Sequence, residues 1–178
     1  CSVRRQRQMC IRDRYNEQMA IKILMNSLYG ALGNRWFRYF DQRVAESITM
    51  SGQLAILWAE RTVNKEMNKL LETDEEDYVI AIDTDSLYIR MGELVQKFNP
   101  KNPVKFLDEI CKTHFEKVLT KSYQEFADYS GAMSNRMEMG REVIADKGIW
   151  QAKKRYILNV HNSEGVQYKE PKLKIMGI

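Results

Sequence analysis

Two aspartates one residue apart, Asp83 and Asp85, stand between two short apolar segments, and this pattern constrains the fold most. Residues 79–82 are all apolar, and residues 87–91 have a composition that favours β structure. The pattern predicts a β-hairpin with both acids at its turn. Acids at this spacing in a tight turn can converge on one cation. Asp is also an ordinary turn residue because it hydrogen-bonds its own backbone, so the pattern alone leaves both interpretations open.

The net charge of +4 indicates nucleic acid as a partner, but its distribution weakens that inference. Residues 1–14 hold five of the 28 basic residues and one of the 24 acidic residues, so the remaining chain has 23 of each and is neutral. Any site for phosphate must therefore depend on individually placed residues rather than on overall charge.

Length and composition indicate one domain with a real core, since the chain has 178 residues and 44% of them are hydrophobic. No signal peptide opens the chain, and the longest apolar run is too short to span a membrane. The three cysteines share no metal-site spacing. We expect a protein of the reducing cytoplasm without a membrane partner, and we expect Cys111 to be a core residue.

The two ends of the chain suggest a piece of a longer protein. The chain starts at Cys1 without an initiator Met, and it stops in a strand-like segment, residues 172–178. We expect residues 1–14 to be a non-native or unassigned extension, because they show no apolar periodicity.

Residues 15–33 have the periodicity of an amphipathic helix, with apolar side chains at positions 21, 24, 25, 28 and 32. The other face brings together Lys22, Asn26, Tyr29, Gly30 and Gly33. A glycine within a helix costs about 1 kcal/mol relative to alanine, which suggests that a ligand approaches the backbone there. A nucleotide would suit this face, but a solvated face near a glycine C-cap explains it equally well.

Two further long helices are predicted. One runs from about Gln42 to Leu71, with a buried stripe of Val44, Ile48, Ala55 and Trp58. The other begins after the Asn102-Pro103 cap and continues to about residue 129.

The last third of the chain favours strands at residues 137–145, 150–160 and 166–168. The order helix, helix, hairpin, helix, strands predicts an α+β fold, in which an antiparallel sheet is backed by helices on one face.

Three segments together resemble the family B DNA polymerases. Residues 22–34 are similar to motif B of the fingers, Asp83-Thr84-Asp85-Ser86 to motif C of the palm, and Lys154-Arg155-Tyr156 to the Lys-x-Tyr motif. The resemblance continues through residues 170–177 and is greatest to the replicative polymerases of T-even-type tailed phages. It implies a fingers helix over residues 15–34 and a palm, with an antiparallel sheet that includes the motif C hairpin, over residues 35–178.

The resemblance also implies a nucleotide site on the fingers helix. Lys22 would hold the triphosphate of the incoming dNTP. Asn26 and Tyr29 would line the pocket of the nascent base pair, and Gly30 would allow close approach to the backbone.

The implied cofactor is a pair of Mg²⁺ ions. Asp85 would be the main ligand, and Asp83 would either bind metal or partner Lys154. Glu142, placed on a strand beside the hairpin, would be a peripheral acid of the metal site.

The implied partners are dNTPs and primer-template DNA, which Lys153, Lys154 and Tyr156 of a basic strand would contact. A sliding clamp and replisome proteins would bind through other regions, in the cytoplasm of a bacterial host. The family's catalytic site also needs an aspartate from motif A, and no segment of this sequence has that pattern. We therefore expect the chain to be catalytically incomplete as given.

Two alternatives to this family remain open. In a non-catalytic nucleic-acid-binding module, the same lysines would contact phosphate and the acids would only form a turn, so binding would ignore Mg²⁺ and weaken with salt. A reverse transcriptase or a nucleotidyl cyclase would also carry carboxylates on a hairpin. Neither of these two enzymes would be expected to combine the helix of residues 22–34 with the downstream Lys-x-Tyr strand.

Overall fold

The structure is a computed structural model that describes the backbone of residues 2–177 and the side chains of residues 13–177. The chain divides into two units, one ending at Ser51 and the other beginning at Gly52. Within the described residues, two long helices precede an antiparallel hairpin, and three shorter α-helices precede three further antiparallel strands. The predicted α+β class is confirmed.

The helices of the described chain are α1 (Ser2–Leu32), α2 (Gln42–Leu71), α3 (Gly92–Phe98), α4 (Pro103–Ile110) and α5 (Glu116–Tyr129), with a π-helical turn, Cys111–Phe115, between the last two. The predicted bounds of α2 are confirmed. Helix α1 begins well before residue 15, because Arg, Gln and Met favour a helix even where apolar periodicity is absent. None of these helices is both long and apolar enough to cross a membrane.

The helix predicted after Asn102 is confirmed together with its cap. The Asn102 side chain accepts a hydrogen bond from the Lys105 amide at 3.1 Å, and Pro103 is the first helical residue. The π-helical turn that interrupts this helix was not predicted, nor was the short helix α3. Helix α3 ends at Asn99, which adopts the left-handed conformation with φ 40°.

The strands form two separate antiparallel sheets. Strands β1 (Val79–Asp83) and β2 (Ser86–Ile89) pair as the predicted hairpin. Strands β3 (Val143–Ala152), β4 (Arg155–Ser163) and β5 (Val166–Met176) form a three-stranded sheet in chain order.

Two strand predictions are wrong in detail. Residues 137–142 are not part of a strand, and the predicted strand over residues 150–160 is divided by a turn at Lys153 and Lys154. Lys154 adopts the left-handed region with φ 63°. Neither lysine is a residue that typically favours such a turn, so the reversal was not predictable from residue type.

A helical cluster forms the main core of the second unit. Its buried members are Ala59, Val63, Met67, Tyr78, Leu94, Phe115, Leu119 and Tyr123. The buried stripe predicted for α2 is wrong at Val44 and Ile48, which are 42% and 46% exposed. The buried positions are Ile56, Ala59, Val63 and Met67. Apolar residues occupy more than one face of α2, so periodicity alone could not select the buried face. Cys111 is buried, as predicted.

A sheet cluster forms a second, smaller core. Tyr156, Leu158 and Val160 of β4 are its buried members, and Tyr88, Val143, Ala145, Trp150 and Tyr168 pack against them. Successive inward residues of β4 are two positions apart, as expected for a strand with one buried face.

A buried guanidinium connects the three-stranded sheet to α4. The Arg141 side chain is 8% exposed and forms an ion pair with Asp108. It also donates to the Asn162 side-chain oxygen at 3.0 Å, and Asn162 is itself buried. Because a buried charge without a partner is costly, these contacts hold the start of β3 against α4.

Gly148 provides a test of the packing in the sheet cluster. An added Cβ would lie 2.6 Å from the Trp150 ring and 2.8 Å from Leu158. We predict that Gly148→Ala lowers the free energy of unfolding by about 1–3 kcal/mol because of this overpacking, as measured by urea denaturation.

Gly52→Ala is the matched control. Gly52 lies in α2, and a Cβ there would meet no atom within 4 Å. This change should raise the free energy of unfolding by up to about 1 kcal/mol, because alanine favours a helix. Equal effects at the two glycines would contradict the packing described for Gly148.

Candidate functional site

The acid turn, residues 83–86, reverses the chain between β1 and β2. Asp83 pairs with Ser86, and the Asp85 amide donates to the Asp83 carbonyl at 2.7 Å. Thr84 at the tip has φ 57°. A β-branched residue in this region is an outlier that costs about 1–3 kcal/mol, and such strain is found most often at functional sites.

Both carboxylates of the acid turn are available to a ligand. Asp83 is half-buried and Asp85 is exposed. Their side-chain donors are neighbouring hydroxyls, Thr84 to Asp83 at 3.2 Å and Ser86 to Asp85 at 3.4 Å. Among the side chains of residues 13–177, no basic group forms an ion pair with either acid.

The two carboxylates line different cavities. Asp83, at the end of β1, lines a cavity of about 390 Å³. Asp85 lines a larger cavity of about 720 Å³, which Glu142 also lines. The two-residue alternation of a strand does not apply to Asp85, because the chain leaves the strand at Thr84.

The lysine turn, Lys153 and Lys154, faces the cavity that Asp83 lines. Both lysines are exposed and line that cavity together with Tyr156, which is buried. The predicted basic strand is therefore wrong for the lysines, which lie in the turn between β3 and β4, while Tyr156 lies on β4. The structure nevertheless brings all three residues to the same cavity as Asp83.

The backbone of Gly177 packs closely against the lysine turn. It has φ 70°, and a Cβ at this position would overlap the carbonyl of Lys154. A glycine is required here for both reasons, the positive φ and the close approach of two backbone segments.

An aromatic wall of Tyr88, Trp150 and Tyr156 closes one side of the smaller cavity. The Tyr88 ring meets the Trp150 ring edge-on at 5.3 Å and the Tyr156 ring at 5.6 Å. Burial raises the pKa of the Tyr88 phenol above its usual value, and the neighbouring Tyr156 phenol adds to this effect.

Tyr88 and Trp150 were not predicted as site residues. Trp150 lies directly opposite Tyr156 in the ladder of β3 and β4. This pairing could have been found only by locating the lysine turn, since the strand register follows from the position of the turn.

Glu142 lies immediately before β3, not on a strand as predicted. Its side chain is exposed, and its carbonyl accepts a hydrogen bond from the Glu164 amide at 2.6 Å. This bond fixes the backbone of Glu142 at the edge of the sheet, within the wall of the cavity that Asp85 also lines.

The helix face of Lys22, Asn26, Tyr29 and Gly30 lies on α1, in the unit that ends at Ser51. All four residues are exposed. The Tyr29 hydroxyl forms a hydrogen bond with Thr49 at 2.6 Å, and a Cβ at Gly30 would meet no atom within 4 Å. Packing within the described chain therefore does not explain the glycine.

The acid turn has the donor chemistry that Mg²⁺ requires. No group of three or more His, Cys, Asp or Glu side chains suited to a metal ion occurs in the part of the chain that the structure describes. Magnesium usually binds one or two carboxylates and completes its shell with water and substrate phosphates. Asp83 and Asp85 fit this mode of binding.

Comparison with known proteins gives a consistent result over nearly the whole chain. The family model for DNA polymerase family B matches residues 4–176. The DNA-directed DNA polymerases of Escherichia phage RB69 and Enterobacteria phage T4 are 43% and 42% identical over 90% of this chain, which corresponds to 19% and 20% of those proteins. DNA polymerase II of Escherichia coli K12 is 40% identical over 39% of this chain and 8% of that protein.

The chain thus spans about a fifth of the length of the two phage relatives. The family match includes all of the segments that carry the acid turn, the lysine turn and the exposed face of α1. The chain belongs to DNA polymerase family B, and it is similar to the T-even-type phage polymerases of that family.

Proposed function

We propose that this chain forms part of the catalytic region of a DNA-directed DNA polymerase. In the complete protein it would help to transfer a nucleotidyl group from a dNTP to the 3′ hydroxyl of a primer on a DNA template. The observation that carries the proposal is the shared cavity of Asp83, Lys154 and Tyr156, which joins an acidic turn to a basic one. Residues 15–34 would be the fingers helix and residues 35–178 the palm.

Asp85 and Asp83 would hold the divalent metal in this proposal. Two Mg²⁺ ions bound there would activate the primer hydroxyl and stabilise the leaving pyrophosphate. Asp85 is the better placed ligand because it is exposed at the tip of the hairpin. Asp83 lines a cavity with Lys154 and would also orient that lysine. Glu142 would be a peripheral acid on the side of Asp85.

The exposed face of α1 would bind the incoming nucleotide. Lys22 supplies an ammonium group for the triphosphate, while Asn26 and Tyr29 lie four and seven residues further along the same face. The hydrogen bond between the Tyr29 and Thr49 hydroxyls fixes the phenol ring. The bare backbone at Gly30 would let the base pair approach the helix.

The lysine turn would contact the primer-template duplex. Lys153 and Lys154 are exposed and would reach phosphate or the minor groove. Tyr156 is buried in the sheet cluster and would hold the turn in place. Contacts of this kind position DNA without reading its sequence.

The activity would require residues outside this sequence. The resemblance to the family implies a further aspartate from motif A, so we propose that the chain alone does not extend a primer. A sliding clamp and other replisome proteins would bind through other segments of the complete protein.

Replacement of Asp85 tests the metal role. In the complete polymerase, Asp85→Asn should lower kcat for primer extension more than about 100-fold. Replacing a residue that only hydrogen-bonds to a metal ligand already lowers metal affinity or activity about 10–100-fold, and Asp85 would be a ligand itself. DNA affinity should stay within about threefold. Asp74→Asn, in an exposed acidic loop, is the matched control. Extension by Asp85→Asn at the wild-type rate would contradict the proposal.

Replacement of Gly30 tests the nucleotide role of α1. Gly30→Ala should leave stability unchanged or raise it by up to about 1 kcal/mol, since helix propensity improves and the Cβ meets no atom within 4 Å. The KM for dNTPs should rise about tenfold or more, measured by steady-state extension of a primer. A stable variant with an unchanged KM would remove this helix face from the nucleotide site.

Replacement of Lys154 tests the DNA role. Lys154→Ala should weaken primer-template binding similarly for all sequences and reduce the salt slope of log K by about one. Fluorescence anisotropy over a range of salt concentrations measures both quantities. Lys169→Ala is the control, because Lys169 is an exposed lysine of β5 that does not line the cavity. An equal effect of the two changes would count against a specific contact by Lys154.

A further inference from the structure

We propose that Tyr88 is a positioning residue that sets the distance between the acid turn and the lysine turn. It would do so through the contacts of its ring with Trp150 and Tyr156. This inference rests on the proposed polymerase function, since the two turns matter to each other only if they act on one substrate.

The acid turn and the lysine turn belong to different sheets. In the described residues, β1 and β2 form one sheet and β3 to β5 form another, with no ladder between them. Backbone hydrogen bonds fix the structure of each hairpin, but they do not fix the distance from one hairpin to the other. That distance must be set by side chains.

The side chains of β2 alternate between two faces of the hairpin. Leu87 and Ile89 pack against the helical cluster. Tyr88, between them, points to the opposite face and packs against the sheet cluster. Among the described residues of the hairpin, Tyr88 is the one that packs against the sheet cluster. Within the described hydrophobic packing, Tyr88 therefore carries the contact of this hairpin with the sheet cluster.

A short path along the strands links the Tyr88 ring to both turns. Asp83 pairs with Ser86, two residues before Tyr88, so Asp83 and Tyr88 share one face of the hairpin. Tyr156 follows Lys154 by two residues and lies opposite Trp150. A shift of the Tyr88 ring would therefore move the acid turn relative to the lysine turn.

A small displacement would be enough to affect the reaction. A misplacement of about 1 Å between reacting groups can lower a rate about 100-fold, even when it arises away from the chemistry. Loss of alignment acts on the transition state and leaves ground-state binding of the nucleotide largely unchanged. The expected signature is thus a fall in kcat without a matching rise in KM.

The test uses the complete polymerase and single-nucleotide addition to a primer. Tyr88→Leu should lower kcat about 10–100-fold, while the KM for dNTP and the affinity for primer-template stay within about threefold. Tyr88→Phe retains the ring and should keep kcat within about threefold of wild type. Tyr168→Leu is the matched control, because Tyr168 packs against the same sheet cluster and belongs to β5 rather than to the hairpin.

A double-mutant cycle separates positioning from general loosening. If Tyr88 acts through Trp150, Tyr88→Leu combined with Trp150→Leu should lower kcat by about the factor of the larger single effect. A loss equal to the product of the two single losses would overturn the inference. An equal loss of kcat in Tyr168→Leu would also overturn it.

The outcomes distinguish this inference from the proposed function. If the wild-type protein does not extend a primer, or Asp85→Asn extends it normally, the proposed function fails. If the wild type is active, Asp85→Asn is inactive and Tyr88→Leu keeps wild-type kcat, only the positioning role fails. If Tyr88→Leu does not fold, Tyr88→Met replaces it: a normal kcat contradicts the inference, and a lowered kcat with unchanged KM supports it.

Discussion

The hairpin of β1 and β2 has side chains that pack on both of its faces, and each face packs against a different hydrophobic cluster. Leu87 and Ile89 join the helical cluster around α2 and α5, and Tyr88 joins the sheet cluster of β4. The strict alternation of a β-strand makes this division possible with only three consecutive residues. The positions of Asp83 and Asp85 depend on it, since both acids lie at the end of this hairpin.

The second support of the site is the ionic contact between Arg141 and Asp108. It joins the start of β3 to α4, while Asn162 satisfies another donor of the same guanidinium. Removing one partner of a buried ion pair usually lowers stability by more than the intact pair contributes, because the other charge stays buried without a partner. The sheet that carries the lysine turn is therefore tied to the helices at the end opposite that turn.

Local patterns in the sequence predicted much of the fold. The bounds of α2, the hairpin, the Asn102 cap and burial of Cys111 all follow from short-range signals. Features that depend on tertiary context were not predictable: which face of α2 is buried, the π-helical turn at Cys111–Phe115 and the division of the strands into two sheets. The lysine turn was missed because neither of its residues typically favours a turn, although Lys154 adopts a positive φ.

The candidate site was predictable in its residues but not in its arrangement. The resemblance to a known family pointed to Asp83, Lys154 and Tyr156, and the structure places all three around one cavity. The aromatic residues that form its wall had no such signal, because a Tyr and a Trp in strands are usually core residues. Their relation to the site appears only when the register of β3 and β4 is known.

Thr84 has a consequence for how this segment can change over evolutionary time. A threonine held at φ 57° keeps the hairpin tip under strain, and glycine or asparagine would relieve that strain. A relaxed tip would also be freer to adopt other conformations, and the two carboxylates beside it would be less rigidly presented. Under the proposed polymerase function, selection for thermal robustness and selection for catalytic speed would then act on this position in opposite directions.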